Sequence, residues 1–272
     1  MVHAIIQLAS LNPDDVVLDI GAGKGILTFE LVKHCNQVIA IEQDPELCRY
    51  LQLRFCDKKN VSVHHVDFMD YLLPHFIYKV FSNIPYNQTA AIIKKLLQSI
   101  NPPLEAYLIL QKEAAYKYAG SPYRAETLVS LSYKPWFDFE VLHAFKKTDF
   151  NPVPKVASVL MSIKQKQQSL VLPNYKINYL DFLAHGFISN KPNMRKAYSD
   201  VFGYEQFKRL AREYKFDLNA KPTELLFEQW IHLFNYFIAS VSDNKKRYMQ
   251  GVWKRYNLEQ QTLTKRHRTT FR

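Results

Sequence analysis

Asn83-Ile84-Pro85-Tyr86 carries the most chemistry in this chain. The exocyclic nitrogen of adenine is a poor nucleophile, because its lone pair is delocalised into the ring. A site that alkylates it must hold the NH2 between two acceptors, so that the lone pair turns toward the donor. The Asn83 side-chain oxygen and the Ile84 carbonyl are two such acceptors. Pro85 restricts Ile84 to extended backbone, which aims that carbonyl. Tyr86 offers a face on which an extruded base can stack. No strong general base is needed, so catalysis would be positioning beside an already activated alkyl donor. A second aromatic to sandwich the base is Phe150, in Asp149-Phe150-Asn151-Pro152-Val153-Pro154-Lys155, where two prolines limit the freedom of the loop. Phe145 is the alternative.

The donor has its own signature. Val16-Val17-Leu18-Asp19-Ile20 runs into Gly21-Ala22-Gly23-Lys24-Gly25, and three of the chain's seven glycines fall in those last five positions. A strand that stops at a glycine turn and feeds a helix N-terminus is a nucleotide-binding arrangement. The dinucleotide fingerprint G-x-G-x-x-G fails here, because its sixth position is Ile26. Glu42 suits a ribose diol through two carboxylate acceptors. Asp67, with the Phe68 N–H beside it, suits an adenine edge. The missing glycine and the third acid favour S-adenosylmethionine over NAD.

These groups need elements to position them. Val16–Ile20, a continuous apolar run broken only by Asp19, predicts a strand, as do Gln37–Glu42, Val61–Val66, Tyr78–Ser82 and Glu105–Leu110, and helical stripes lie between them. Asp44-Pro45 predicts a helix start. Strand alternating with helix means an open, mostly parallel α/β sheet. Gly21, Glu42, Asp67 and Asn83 then end strands one to four, where ligands bind in such sheets. Thr127–Leu131, Asp138–Leu142 and Ser158–Lys164 predict further strands, the last two forming an antiparallel hairpin. From Asn174 the periodicity is helical only. The expected organisation is a catalytic domain over 1–167, a small all-helical domain over 168–242, to which the family resemblance given below assigns RNA binding, and a basic tail over 243–272.

Charge points to a polyanionic partner. The net charge is +11. Nine Lys/Arg against Asp243 and Glu259 place seven of those charges in the last thirty residues. That tail is expected to be an arm that binds RNA phosphates and is disordered when free. Three cysteines without CxxC spacing read as reduced thiols and suit a cytoplasmic protein. There is no signal-peptide pattern and no apolar run of membrane-spanning length. Residues 64 and 65, both histidine, have no partner pair at metal spacing, and no metal site is expected. The P-loop and G-x-S-x-G patterns are absent.

With these motifs in place, the chain resembles the rRNA adenine-N6 dimethyltransferases, over about Val16 to Ile238. The resemblance is carried by Leu18-Asp19-Ile20-Gly21-Ala22-Gly23-Lys24-Gly25, Ala40-Ile41-Glu42, Asp67-Phe68, Ser82-Asn83-Ile84-Pro85-Tyr86-Asn87 and Phe150-Asn151-Pro152-Val153-Pro154-Lys155-Val156-x-Ser158. It implies a Rossmann-like class I S-adenosylmethionine-dependent methyltransferase domain followed by a small all-helical domain. It also implies that Gly21, Ala22, Gly23, Glu42, Gln43, Asp67, Phe68 and Asn83 bind the cofactor, and that Asn83, Ile84, Pro85, Tyr86 and Phe150 hold the adenine. Within the family the chain looks most like the Erm type, which modifies 23S rRNA and confers resistance to macrolides, lincosamides and streptogramin B; Phe227-Glu228-Gln229-Trp230 is part of that likeness. Two alternatives stay open. One is a small-subunit dimethyltransferase of the KsgA/Dim group, acting in ribosome assembly. The other is a catalytically silent RNA-binding homologue, because the Gln-Asn/His-Phe lid motif that usually precedes strand one has no match in the fifteen residues before Val16. A monomer with no membrane partner is expected.

Overall fold

A computed structural model describes residues 1–269 and, within its last helix, the backbone alone at 261 and 263–269. The chain divides into two units, one of residues 1–119 and 137–167, the other of residues 120–136 and 168–272.

The first unit runs α1 (Val2–Ile6), β1 (Val16–Ile20), α2 (Ile26–Leu31), β2 (Gln37–Glu42), α3 (Pro45–Arg54), β3 (Val61–His65), β4 (Lys79–Asn83), α4 (Thr89–Gln98), β5 (Glu105–Gln111), α5 (Lys112–Ala119), β6 (Phe137–Ala144) and β7 (Ser158–Gln165). The seven strands lie in the order β3-β2-β1-β4-β5-β7-β6. The first five are parallel, and β7 runs antiparallel to both β5 and β6. The expected terminal hairpin is therefore present. β1 and β2 bury every residue but their first, because helices cover both faces of a parallel sheet. Strand order reverses between β1 and β4, which is where a doubly wound sheet opens a crevice. The Asp44 carboxylate caps α3, accepting from the Glu46 and Leu47 amides at 2.8 and 3.0 Å.

The second unit comprises α6 (Leu128–Tyr133), α7 (Lys176–Ile188), α8 (Met194–Ala197), α9 (Tyr204–Glu213), α10 (Phe227–Ser240), α11 (Asp243–Lys246) and α12 (Val252–Thr269). Its core is aromatic, with Tyr179, Phe182, Tyr198, Trp230, Phe234 and Phe237 all buried. In α7, Gly186 makes room for this cluster: a Cβ there would stand 2.7 Å from the Tyr198 hydroxyl and 2.8 Å from the Trp230 ring.

Two expectations are corrected. Residues Thr127–Leu131 are not a strand. Thr127 Oγ1 accepts from the Ser130 amide at 3.0 Å and Ser130 Oγ accepts from the Thr127 amide at 2.9 Å, a reciprocal cap that starts α6. The chain after Ser242 is folded where a free arm was expected. Met249 and Val252 are buried, Trp253 and Tyr256 pack on the same core, and the buried Asp181 carboxylate of α7 accepts from the Gly251 and Trp253 amides, both at 2.9 Å. Thr270–Arg272, the end of the expected arm, lie outside the described residues. No helix among the described residues is long and apolar enough to cross a membrane.

Candidate functional site

The glycine turn is built by backbone that side chains resist. Gly21, Gly23 and Gly25 have φ of 68°, 58° and 69°. At Gly25 the demand is double, since a Cβ would also stand 2.7 Å from Leu51 and 2.8 Å from Phe55. The Gly21 and Ala22 amides both donate to the Ile41 carbonyl, at 2.8 and 3.1 Å, which ties the turn to the end of β2. Ala22 is buried beside Ala40, Leu51 and Phe55. Beneath the turn, Asp19 is buried and accepts from Thr28 Oγ1 at 2.7 Å. Burial lifts its carboxyl to about 7 against the pull of the Thr28 hydrogen bonds, and the Glu42 charge adds to the rise.

Glu42 ends β2 nearly buried. One of its oxygens accepts from the Gly23 amide at 2.8 Å and the other from the Asp44 amide at 3.0 Å. The carboxylate is thus aimed by backbone, and each oxygen keeps a lone pair for a hydroxyl. Asp67 accepts from the Met69 amide at 2.8 Å, and Phe68 is buried. One cleft is lined by Gly21, Glu42, Gln43, Asp67, Phe68 and Pro85, together with Ile20, Ile41, Val66, Gln88 and Ile92. Six of the residues expected at the site therefore meet in one place.

β4 supplies the next group. Its Ser82 Oγ, fully buried, accepts from the Ile20 amide at 2.6 Å. Asn83 follows with its side chain exposed. Ile84 is buried and its amide donates to the Ile109 carbonyl at 3.2 Å, which extends the β4–β5 ladder by one residue. Tyr86 opens a short 3-10 turn, and its hydroxyl lies 2.7 Å from Ser158 Oγ at the start of β7. That bond anchors the tip of the Tyr86 side chain. Phe150, half-buried in the loop between β6 and β7, meets Phe145 edge-on with ring centroids 5.1 Å apart. Phe145 is buried in the core and serves as the platform under Phe150. Asn83, Tyr86 and Phe150 do not line the cleft itself.

Sequence reasoning did not single out Ser82 or Lys95. The Lys95 ammonium donates to the Phe68, Met69 and Tyr71 carbonyls at 2.6, 2.8 and 2.6 Å, which fixes the loop after Asp67. Nothing in the local sequence marks a lysine on an apolar helix as a loop anchor. Of the paired histidines, His64 meets Tyr71 edge-on and His65 Nε2 lies 3.1 Å from the Gln43 carbonyl.

Known proteins resemble the chain in sequence and in fold. A family model described as ribosomal RNA adenine dimethylase matches residues 1–239. An rRNA adenine N-6-methyltransferase of Bacteroides fragilis is 34% identical over 238 residues, which is 86% of this chain and 87% of that protein. A ribosomal RNA small subunit methyltransferase A of Acaryochloris marina is 28% identical over 247 residues, 86% of this chain and 90% of that one. Among solved structures, the 23S rRNA methyltransferase ErmE superposes with a TM-score of 0.81 at 25% identity, covering 87% of this chain and 96% of that chain.

Proposed function

The chain belongs to the ribosomal RNA adenine dimethylase family, and from that premise we propose that it moves methyl groups from S-adenosylmethionine to the exocyclic N6 of one adenine in 23S rRNA, giving resistance to macrolides, lincosamides and streptogramin B. The observation that carries the reading is the join between the two halves of the site. The Ile20–Ser82 hydrogen bond sets the glycine turn beside Asn83-Ile84-Pro85-Tyr86 at the switch point of the sheet.

The residues fit the cofactor. A Cβ at Gly21 would stand 3.8 Å from Pro85, so the glycine keeps the cleft open between turn and motif. Glu42 would accept from the ribose hydroxyls and Asp67 from the adenine amino group of the cofactor, with Gln43 and Phe68 lining the same cleft. When bound, S-adenosylmethionine supplies an activated methyl group. The protein's part is to hold the target base: Asn83 and the Ile84 carbonyl accept from its amino group, and Tyr86 and Phe150 stack on it. Aromatic stacking contributes roughly 1–3 kcal/mol per base. The exposed cations of the C-terminal segment, Lys254 and Arg255 among them, engage RNA phosphates.

The 23S assignment is supported by the relatives named rRNA adenine N-6-methyltransferase and by the likeness to ErmE. The small-subunit reading has support of its own in the relative from Acaryochloris marina. Expression in a macrolide-sensitive bacterium, followed by primer extension on both large rRNAs, separates them. A new stop in the peptidyl-transferase region of 23S rRNA supports the proposal. A small-subunit stop transfers the activity to ribosome assembly. No modification with RNA binding retained leaves a silent binder.

A further inference from the structure

At the end of α2 opposite the glycine turn, three side chains converge that the methyl-transfer chemistry does not use. His3 Nδ1 lies 2.8 Å from Glu30 Oε1, and His34 Nε2 lies 3.5 Å from the same oxygen. The three ligand atoms all fall within 4.8 Å of one another. The two imidazole rings tilt toward each other with centroids 5.9 Å apart. Two imidazoles and a carboxylate form an N2O donor set that suits zinc, with room for water as a fourth ligand. Zinc with bonds near 2.0–2.1 Å spaces its ligands by ~3.3 Å in tetrahedral geometry. The observed separations from Glu30 Oε1 straddle that value.

The arrangement is built by the fold. Glu30 lies in the last turn of α2 and His34 in the turn that follows it, four residues on, and the two side chains meet at Glu30 Oε1. The following turn is held by the Lys33 and His34 amides, which donate to the Glu30 and Leu31 carbonyls at 3.1 and 2.9 Å. His3 comes from α1, whose Ile5 and Ile6 are buried against Leu27, Leu31 and Cys35. That apolar seam sets the spacing of the two helices, and His3 is carried to Glu30 as a result.

Burial grades the three groups as a metal site needs. The His3 side chain is 67% exposed, His34 27% and Glu30 11%, so the charged ligand is sheltered and the entry is open. Glu30 Oε2 is engaged by the Lys33 ammonium at 2.6 Å, which leaves Oε1 to face the imidazoles and orients the carboxylate from behind. The two histidines are thirty-one residues apart in the chain, which is why spacing rules did not pair them.

We propose that His3, Glu30 and His34 bind one zinc ion that clamps α1 onto α2. Binding replaces two N–H···O contacts with three metal bonds, each imidazole turning its lone pair inward and carrying its proton on the other ring nitrogen. No bond of the protein backbone changes. The clamp sits at the opposite end of the helix whose N-terminus is Gly25, so it is separate from the cofactor cleft.

The test is calorimetric titration of the untagged full chain with zinc chloride, beside His3→Ala, His34→Ala and the double variant His64→Ala/His65→Ala. His3 and His34 are partly exposed, so their alanine variants retain the fold, and circular dichroism checks it. One zinc per chain for the native protein is expected, with affinity at least tenfold weaker in His3→Ala and in His34→Ala and unchanged in the control. The melting temperature should rise with zinc in the native chain and not in His3→Ala. Cobalt in place of zinc should give the visible absorption of a four- or five-coordinate site. Absence of stoichiometric binding, undiminished affinity in either single variant, or loss of binding in the control overturns the proposal.

Discussion

The Ile20 amide donates to Ser82 Oγ at 2.6 Å, a buried hydrogen bond between the last residue of β1 and the residue before Asn83. It joins the cofactor turn to the methyl-transfer motif through a single hydroxyl. Ser82→Ala leaves the Ile20 amide without that partner in a fully buried place. Urea unfolding is expected to show a loss of about 1–3 kcal/mol, the usual cost of orphaning a buried donor. Catalytic efficiency should fall as well, because turn and motif lose their common anchor. A variant with native stability would show that the bond does not hold the site together.

Asp19 makes stability depend on pH. Its folded value of about 7 lies above the ordinary 3.8. Between those values the folded chain keeps a proton that the unfolded chain releases, so this group's contribution falls as pH rises from about 4 to 7. One proton sets a limiting slope of about 1.4 kcal/mol per pH unit. Asp19→Asn keeps an acceptor for Thr28 and removes the titration. The difference in unfolding free energy, variant minus native, should grow over that range. Equal pH slopes for the two proteins would contradict the assignment.

Lys254 and Arg255 are exposed on α12, whose apolar residues pack on the second unit's core. Lys254→Gln/Arg255→Gln removes charge without touching that packing. RNA binding should weaken, and the slope of log affinity against log salt should flatten by roughly 0.7 for each phosphate that is no longer neutralised. The melting temperature should stay the same. An unchanged salt slope would make these residues an ordinary solvated surface. Truncation after Ser242 is a poorer probe, since it also uncovers the pocket filled by Met249 and Val252.

Much of the fold is legible in the sequence, because β1, β2 and β5 are largely apolar runs that alternate with helical stripes, and chemistry-bearing residues stand at the ends of the first four strands. Gly21, Glu42 and Asp67 were legible for that reason. What stayed hidden depends on partners far away in sequence. Ser82 is one serine among many until Ile20 is brought beside it. Asp181 looks like a polar interruption of α7 until the Gly251 and Trp253 amides arrive 70 and 72 residues later. Thr127-Leu128-Val129 reads as β by composition, and only the reciprocal Thr127–Ser130 cap decides for a helix. The charged tail suggested disorder because its apolar residues are few, but Met249, Val252, Trp253 and Tyr256 are enough to dock its first half.

Methylation of 23S rRNA by the native chain and by Asn83→Ala, with N6,N6-dimethyladenine located by primer extension and RNA affinity measured in parallel, tests the central claim most directly. Asn83 is exposed at the end of β4, so its truncation leaves the fold intact. The account predicts modification of one adenine by the native protein, a drop on the order of 100-fold or more in the variant, the scale for losing one positioned hydrogen-bonding group, and nearly unchanged RNA binding. Undiminished methylation by Asn83→Ala would contradict it.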